Sequence, residues 1–202
     1  MPYEPEMPRY GPFKKLKSFR MAQLILDLTV LFCDEHTEPR SRARDRMPRT
    51  ARAVVRQIAE GSRLGATSKK LELRQTEMAR ASLDELRLDY EGLLTQRGLP
   101  VWDAEDPRRV EFIAMRPRAV EEVVVWAADN CGPAEVAQPA EPGSPAPTTT
   151  PEALANCALA LISAEFALLD RQLKAQNITL RREESESRRT PRTRSIDLDD
   201  TL

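Results

Sequence analysis

A chain of 202 residues with 41% hydrophobic content holds enough apolar material for one core, with room for unstructured segments beside it. Lysine and arginine number 31 against 32 aspartate and glutamate, but that balance conceals an asymmetry, about +5 over residues 1–100 and about −6 over the rest. Aromatic residues make up only 5%, Val, Ile and Thr do not alternate, and Cys33, Cys131 and Cys157 fall at unrelated spacings, which argues against extended sheet, a disulfide framework and a zinc site.

The expectation is an all-α, cytoplasmic protein with reduced thiols and no membrane span. MPYEPEMPRY lacks the apolar core of a signal peptide, and no window reaches about 18 uncharged apolar residues. Residues 1–12 carry four prolines and Gly11 and read as an irregular arm. From Phe13 to about Cys33, Leu16, Phe19, Ile25, Leu26, Leu28, Val30, Leu31 and Phe32 give a helix whose apolar face is too wide for one neighbour. It reads as the centre of a bundle, or as a seam that also meets another subunit. Asp34–Asp45, with Pro39 and little apolar content, reads as a loop, and its lone His36 as a solvated side chain without a role.

Met47–Ser62 places Met47, Ala51, Val54, Val55 and Ile58 at helical spacing. Gly61 is expected to stop this helix by taking positive φ, and Ser68 to cap the next one. Glu60, beside that stop, would oppose the helix dipole, so a basic partner such as Arg63 or Arg52 is expected. Ser68–Gln96 is a second amphipathic helix with surface pairs Arg80–Asp84 and Arg87–Glu91, ended by Gly98 and Pro100. Pro107–Met115 and Pro117–Asp129 follow as short helices. The chain thus divides into the arm 1–12, a helical core 13–130, a Pro/Ala-rich flexible linker 131–150, a long helix 151–178 that completes the bundle, and a polar, disordered tail 179–202.

One chemical feature exceeds what a core requires. Pro39–Arg74 holds 11 basic residues against 3 acidic ones. Arg40, Arg42, Arg44, Arg46, Arg49, Arg52, Arg56, Arg63, Lys69 and Lys70 form the kind of patch that binds phosphates by counterion release. Without interleaved aromatic residues the patch has no means of reading base sequence. The competing reading is a protein-interaction scaffold whose arginines pair with carboxylates across subunits. No catalytic constellation accompanies it. A di-metal bundle site needs inward carboxylates with a Glu-x-x-His pair, and Glu60, Glu72, Glu77 and Glu85 are explained by caps and surface pairs. No enzyme activity, metal or cofactor is expected.

FKKLKSF at 13–19, QIAEGSRLGATSKK at 57–70 and MARASLDELRLDYEGLL at 78–94 resemble the four-helix-bundle proteins related to the 23S rRNA intervening-sequence proteins, a superfamily that includes the accessory variability protein of diversity-generating retroelements. LANCALALISAEFALLDRQL at 154–173 is similar to the C-terminal suffix of one subgroup. The matched structural positions are Gln57, where relatives usually carry Asn, with Ile58, Glu60, Gly61, Ser82, Glu85, Leu86 and Tyr90. The resemblance implies an antiparallel four-helix bundle that forms a homo-oligomeric ring, typically a pentamer. It also implies a basic surface for RNA or DNA, a reverse transcriptase as partner in the retroelement branch, and no enzymatic activity.

Overall fold

The computed structural model describes residues 13–130 and 150–189, and every regular element in them is helical. The expected arm, nearly all of the linker with Cys131, and the tail beyond Arg189 lie outside the described residues. A 3₁₀ turn at Phe13–Lys15 leads into α1 (Lys17–His36), α2 (Arg42–Leu64), α3 (Lys69–Gln96), α4 (Pro107–Met115), α5 (Val120–Asp129) and α6 (Thr150–Arg189).

Four long helices share the core. α1 packs against α2 and α6, α3 packs against the same two, and α4 and α5 lie on α6. Leu28, Phe32, Met47, Leu83, Leu86, Tyr90, Leu94, Leu154, Ile162 and Leu169 are fully buried. The Tyr90 hydroxyl donates to Thr29 Oγ1 at 3.0 Å, and Thr29 donates onward to the Ile25 carbonyl, so both buried hydroxyls are satisfied. Cross-ties fix how the helices lie along one another: Ser18 Oγ donates to Gln172 Oε1 at 3.2 Å, and Arg80 Nε to Asp170 Oδ1 at 2.7 Å.

The start of α6 is buried all round from Glu152 to Ile162, a stretch of small residues and leucines that neighbours cover on every side. By length and composition α6 is long and apolar enough to cross a bilayer, but 72% of its apolar window is buried inside this fold. The chain after α3 is clamped to that buried stretch. Trp102 N–H donates to Asn156 Oδ1 at 2.8 Å, Asn156 Nδ2 donates to the carbonyls of Pro100 and Glu152, and Arg108 stacks over Trp102 at 4.6 Å.

Several local expectations are corrected. The loop 34–45 shrinks to residues 37–41, because α1 runs on to His36 and Ser41 caps α2, its Oγ accepting from Arg44 N–H. α2 begins five residues before Met47, so Pro48 lies inside it. Gly61 does not stop α2, which continues to Leu64. Its small size matters instead: a Cβ there would lie 3.1 Å from Gln75 Cβ and 3.4 Å from the Glu72 carbonyl oxygen, so Gly61 lets α2 and α3 approach closely. Ser68 does cap α3, accepting from Leu71 N–H, and Gly98 takes φ +66° as expected.

Arg80 is drawn away from Asp84 by Asp170 and the Phe166 ring, while Arg87 bridges both Asp84 and Glu91. The short helix expected from Pro117 starts at Val120. Instead of being disordered, residues 180–189 continue α6, with 181–187 exposed. The wide face of α1 is covered within the chain by α2, α5 and α6.

Candidate nucleic-acid interface

The basic residues 40–70 divide by helical geometry. Seen down α2, positions 42, 45, 49, 52, 56, 60 and 63 share one side, opposite the buried Met47, Ala51, Val54 and Ile58. Arg42, Arg49, Arg52 and Arg56 on that side are exposed and form no ion pair among the described residues, and Arg40 just ahead of the helix is also exposed. Asp45 and Glu60 interrupt the stripe without reversing its sign.

The flanking positions do other work. Arg44 points toward α1, where it donates to Asp34 Oδ1 at 2.9 Å and to the Asp34 and Thr37 carbonyls, closing the α1–α2 loop. Arg46 points toward α3 and makes a two-pronged contact with the mostly buried Asp89 carboxylate, its Nε lying 3.1 Å from Oδ2. Arg63 Nε donates to the Ala59 carbonyl, and its guanidinium sits 5.6 Å from the Phe13 ring. Lys69 pairs with Glu72 at 3.2 Å, and Lys70 is exposed. A sequence reading merges these arginines into one run; the 100° step of the helix separates them.

Glu60 gains no ionic partner among the described residues, against expectation. It shares a cleft of about 480 Å³ with Arg56, Arg63, Leu64 and Thr67, and α2 extends past it, so it is no longer at the helix terminus where the dipole would penalise it.

The remaining matched positions are structural in placement. In the orientation that satisfies its neighbours, the buried Gln57 amide nitrogen donates to the Ala53 and Met78 carbonyls and to Ser82 Oγ, at 3.1, 3.3 and 3.1 Å, tying α2 to α3. Ile58, Leu86 and Tyr90 are core, and Glu85 is exposed. His36 is another correction: it is half-buried at the end of α1 against Phe32, and burial pulls its imidazole below the ordinary range, ahead of the opposing attraction of Glu35. Cys33 and Cys157 are buried, and burial pushes the Cys33 thiol up to about 11, far from reactive thiolate. Among the described residues no three His, Cys, Asp or Glu side chains converge as metal ligands would.

Comparison with known protein families, characterised proteins and solved structures gives no match.

Proposed function

We propose that this chain is a non-enzymatic, cytoplasmic, oligomeric four-helix-bundle protein that binds the phosphate backbone of RNA or DNA through the outer side of α2. The bundle would be α1, α2, α3 and α6, with α4 and α5 as a side layer. The observation that carries the reading is the row of Arg42, Arg49, Arg52 and Arg56, four exposed guanidinium groups along one helix side with no carboxylate among the described residues paired to them. Guanidinium forks suit phosphate oxygens, and a groove-following row of them gives affinity without sequence preference. The resemblance to the intervening-sequence and retroelement accessory proteins supports the same reading, and with it the ring and a reverse-transcriptase partner.

The test is a salt titration of binding to a generic RNA and a generic DNA. Each phosphate contact contributes a slope of about −0.9 in log K against log salt for duplex DNA, so replacing Arg42, Arg49, Arg52 and Arg56 by alanine should flatten the slope by about 3 to 4 and remove the gel shift at moderate salt. Replacing Arg44 and Arg46 should lower stability and leave the slope within about one of its starting value, since those groups are engaged inside the chain. No salt-sensitive binding by the unmodified protein to either nucleic acid sinks the proposal in favour of an interaction scaffold.

A further inference from the structure

Between α1 and α6, with the α4–α5 connection as a third wall, lies an open cleft of about 720 Å³ to which α2 contributes no residue. α1 faces it with Lys17, Arg20, Leu24 and Asp27, and α6 with Leu161, Ala164, Leu168 and Arg171. Both sets step by three, four and three residues, which keeps each on one side of its helix. The hydrogen bond from Ser18 Oγ to Gln172 brings the Lys17 end of α1 beside the Arg171 end of α6. The two stripes therefore run antiparallel along a trough of about 15 Å, close to three helical turns.

The floor is apolar, where Leu24, Leu161 and Leu168 meet Ile113 of α4, and the rim is cationic. Lys17, Arg20, Arg116, Arg118 and Arg171 are exposed, stand on all three walls, and pair with no carboxylate among the described residues. Arg20 and Arg171 donate to the carbonyls of Lys15 and Ala167, and the Glu122 carboxylate accepts the backbone N–H of Arg118 rather than its guanidinium. Asp27, the one acid among the lining residues, accepts from Gln23 Nε2 at 2.9 Å.

Five cations against one acid, around an aliphatic floor, decide what fits. A nucleic-acid backbone would meet the rim and leave the floor unused, since Phe19, the one aromatic ring in the lining, already packs edge-on against Phe13 at 4.9 Å. A single anionic headgroup would meet the cations of one wall. A helix with an apolar stripe flanked by carboxylates on both sides meets floor and all three walls together. We infer that the cleft is a docking groove for an acidic amphipathic helix of another protein, about three turns long. Its apolar residues, spaced three and four apart, lie on Leu24, Ile113, Leu161 and Leu168, and its flanking carboxylates meet the five cations.

The experiment is fluorescence anisotropy on the full chain at low salt, with three labelled synthetic helical peptides. One carries a leucine stripe flanked by glutamates, the second the same stripe flanked by lysines, and the third the composition of the first with its leucines scattered round the helix. The first is expected to bind at least about tenfold more tightly than either of the others. Ile113→Glu should weaken it at least about fivefold at unchanged helix content, and Arg118→Glu with Arg171→Glu should make the lysine peptide the tighter binder. The preference should persist when Arg42, Arg49, Arg52 and Arg56 are alanine, so this inference and the nucleic-acid reading fail separately. Equal binding of the striped and scattered acidic peptides overturns the inference, as does an order of affinities that the charge reversal leaves in place. So does displacement of the peptide from the α2 alanine variant by a generic RNA, which would assign the cleft to nucleic acid. A light-scattering mass that falls on charge reversal would assign it to a second copy and overturn the inference too.

Discussion

Glu165 is 0% exposed in the middle of the core face of α6, and neither carboxylate oxygen has a hydrogen-bond partner among the described residues. Burial alone pushes it up to about 9, so at neutral pH the side chain is a neutral acid. In the unfolded chain it ionises near 4.5. Between those two values the folded state retains a proton that the unfolded state releases, so stability contributed by this site is full below about 4.5 and is lost as pH rises toward about 9. Glu165→Gln, which keeps the shape and cannot ionise, should match the parent protein near pH 5 and exceed it increasingly above, by roughly 1 kcal/mol per pH unit, read as the difference in melting temperature across the range. Equal melting curves at pH 8 would show that the carboxyl is solvated. The residue was legible in principle: it lies four positions after Leu161 and four before Leu169, on the apolar stripe itself. A stripe read only for its hydrophobic members passes over the acid that interrupts it.

Glycines separate the elements more sharply than any other residue here, because three of them answer the same substitution in different ways. Gly92 lies inside α3 with open space where a Cβ would go, so Gly92→Ala should stabilise by about 0.5 to 1 kcal/mol from helix propensity alone. Gly98 holds φ +66° after the end of that helix, and Gly98→Ala should cost about 1 kcal/mol despite equally open surroundings. At Gly61 the propensity gain is opposed by Gln75 Cβ at 3.1 Å; Gly61→Ala should come out near neutral, and Gly61→Val should destabilise by about 2 kcal/mol or more by forcing α2 from α3. Chemical denaturation of the three variants orders them. The sequence carried the signal for Gly98, where Pro100 follows two residues on, but misassigned Gly61, since a glycine after a periodic run looks the same whether it ends a helix or lets another helix approach. Helix types and most positions followed from period and caps. What did not was long-range: the pull of Asp170 on Arg80, and the Trp102–Asn156 clamp across a sequence separation of 54 residues. Local pattern holds no information about such partners.

For the whole molecule, the question left by the fold is which surface joins copies of the chain in the proposed ring. The broad apolar side of α1 is spent inside the chain, on α2, α5 and α6. Of the large apolar residues that stay exposed, Leu71, Met78 and Leu88, at 44%, 43% and 54%, are all on α3. Scattered exposed leucines are ordinary, but Leu71 and Met78, two turns apart, form a short ridge, with Leu88 about three turns further and about a quarter-turn round, and burying each against a neighbour would contribute about 2 kcal/mol. If this ridge joins the subunits, Leu71→Glu, Met78→Glu and Leu88→Glu together should reduce the light-scattering mass to that of one 22.8 kDa chain with unchanged helix content. Val110→Glu, on the exposed side of α4, should leave the mass of the assembly as it was. High salt should also leave it, because an apolar interface is not screened, whereas an assembly held by arginine–carboxylate pairs would dissociate. A parent protein of 22.8 kDa at micromolar concentration in either salt removes the ring from the proposal, and the arginine row would then have to act from a single copy.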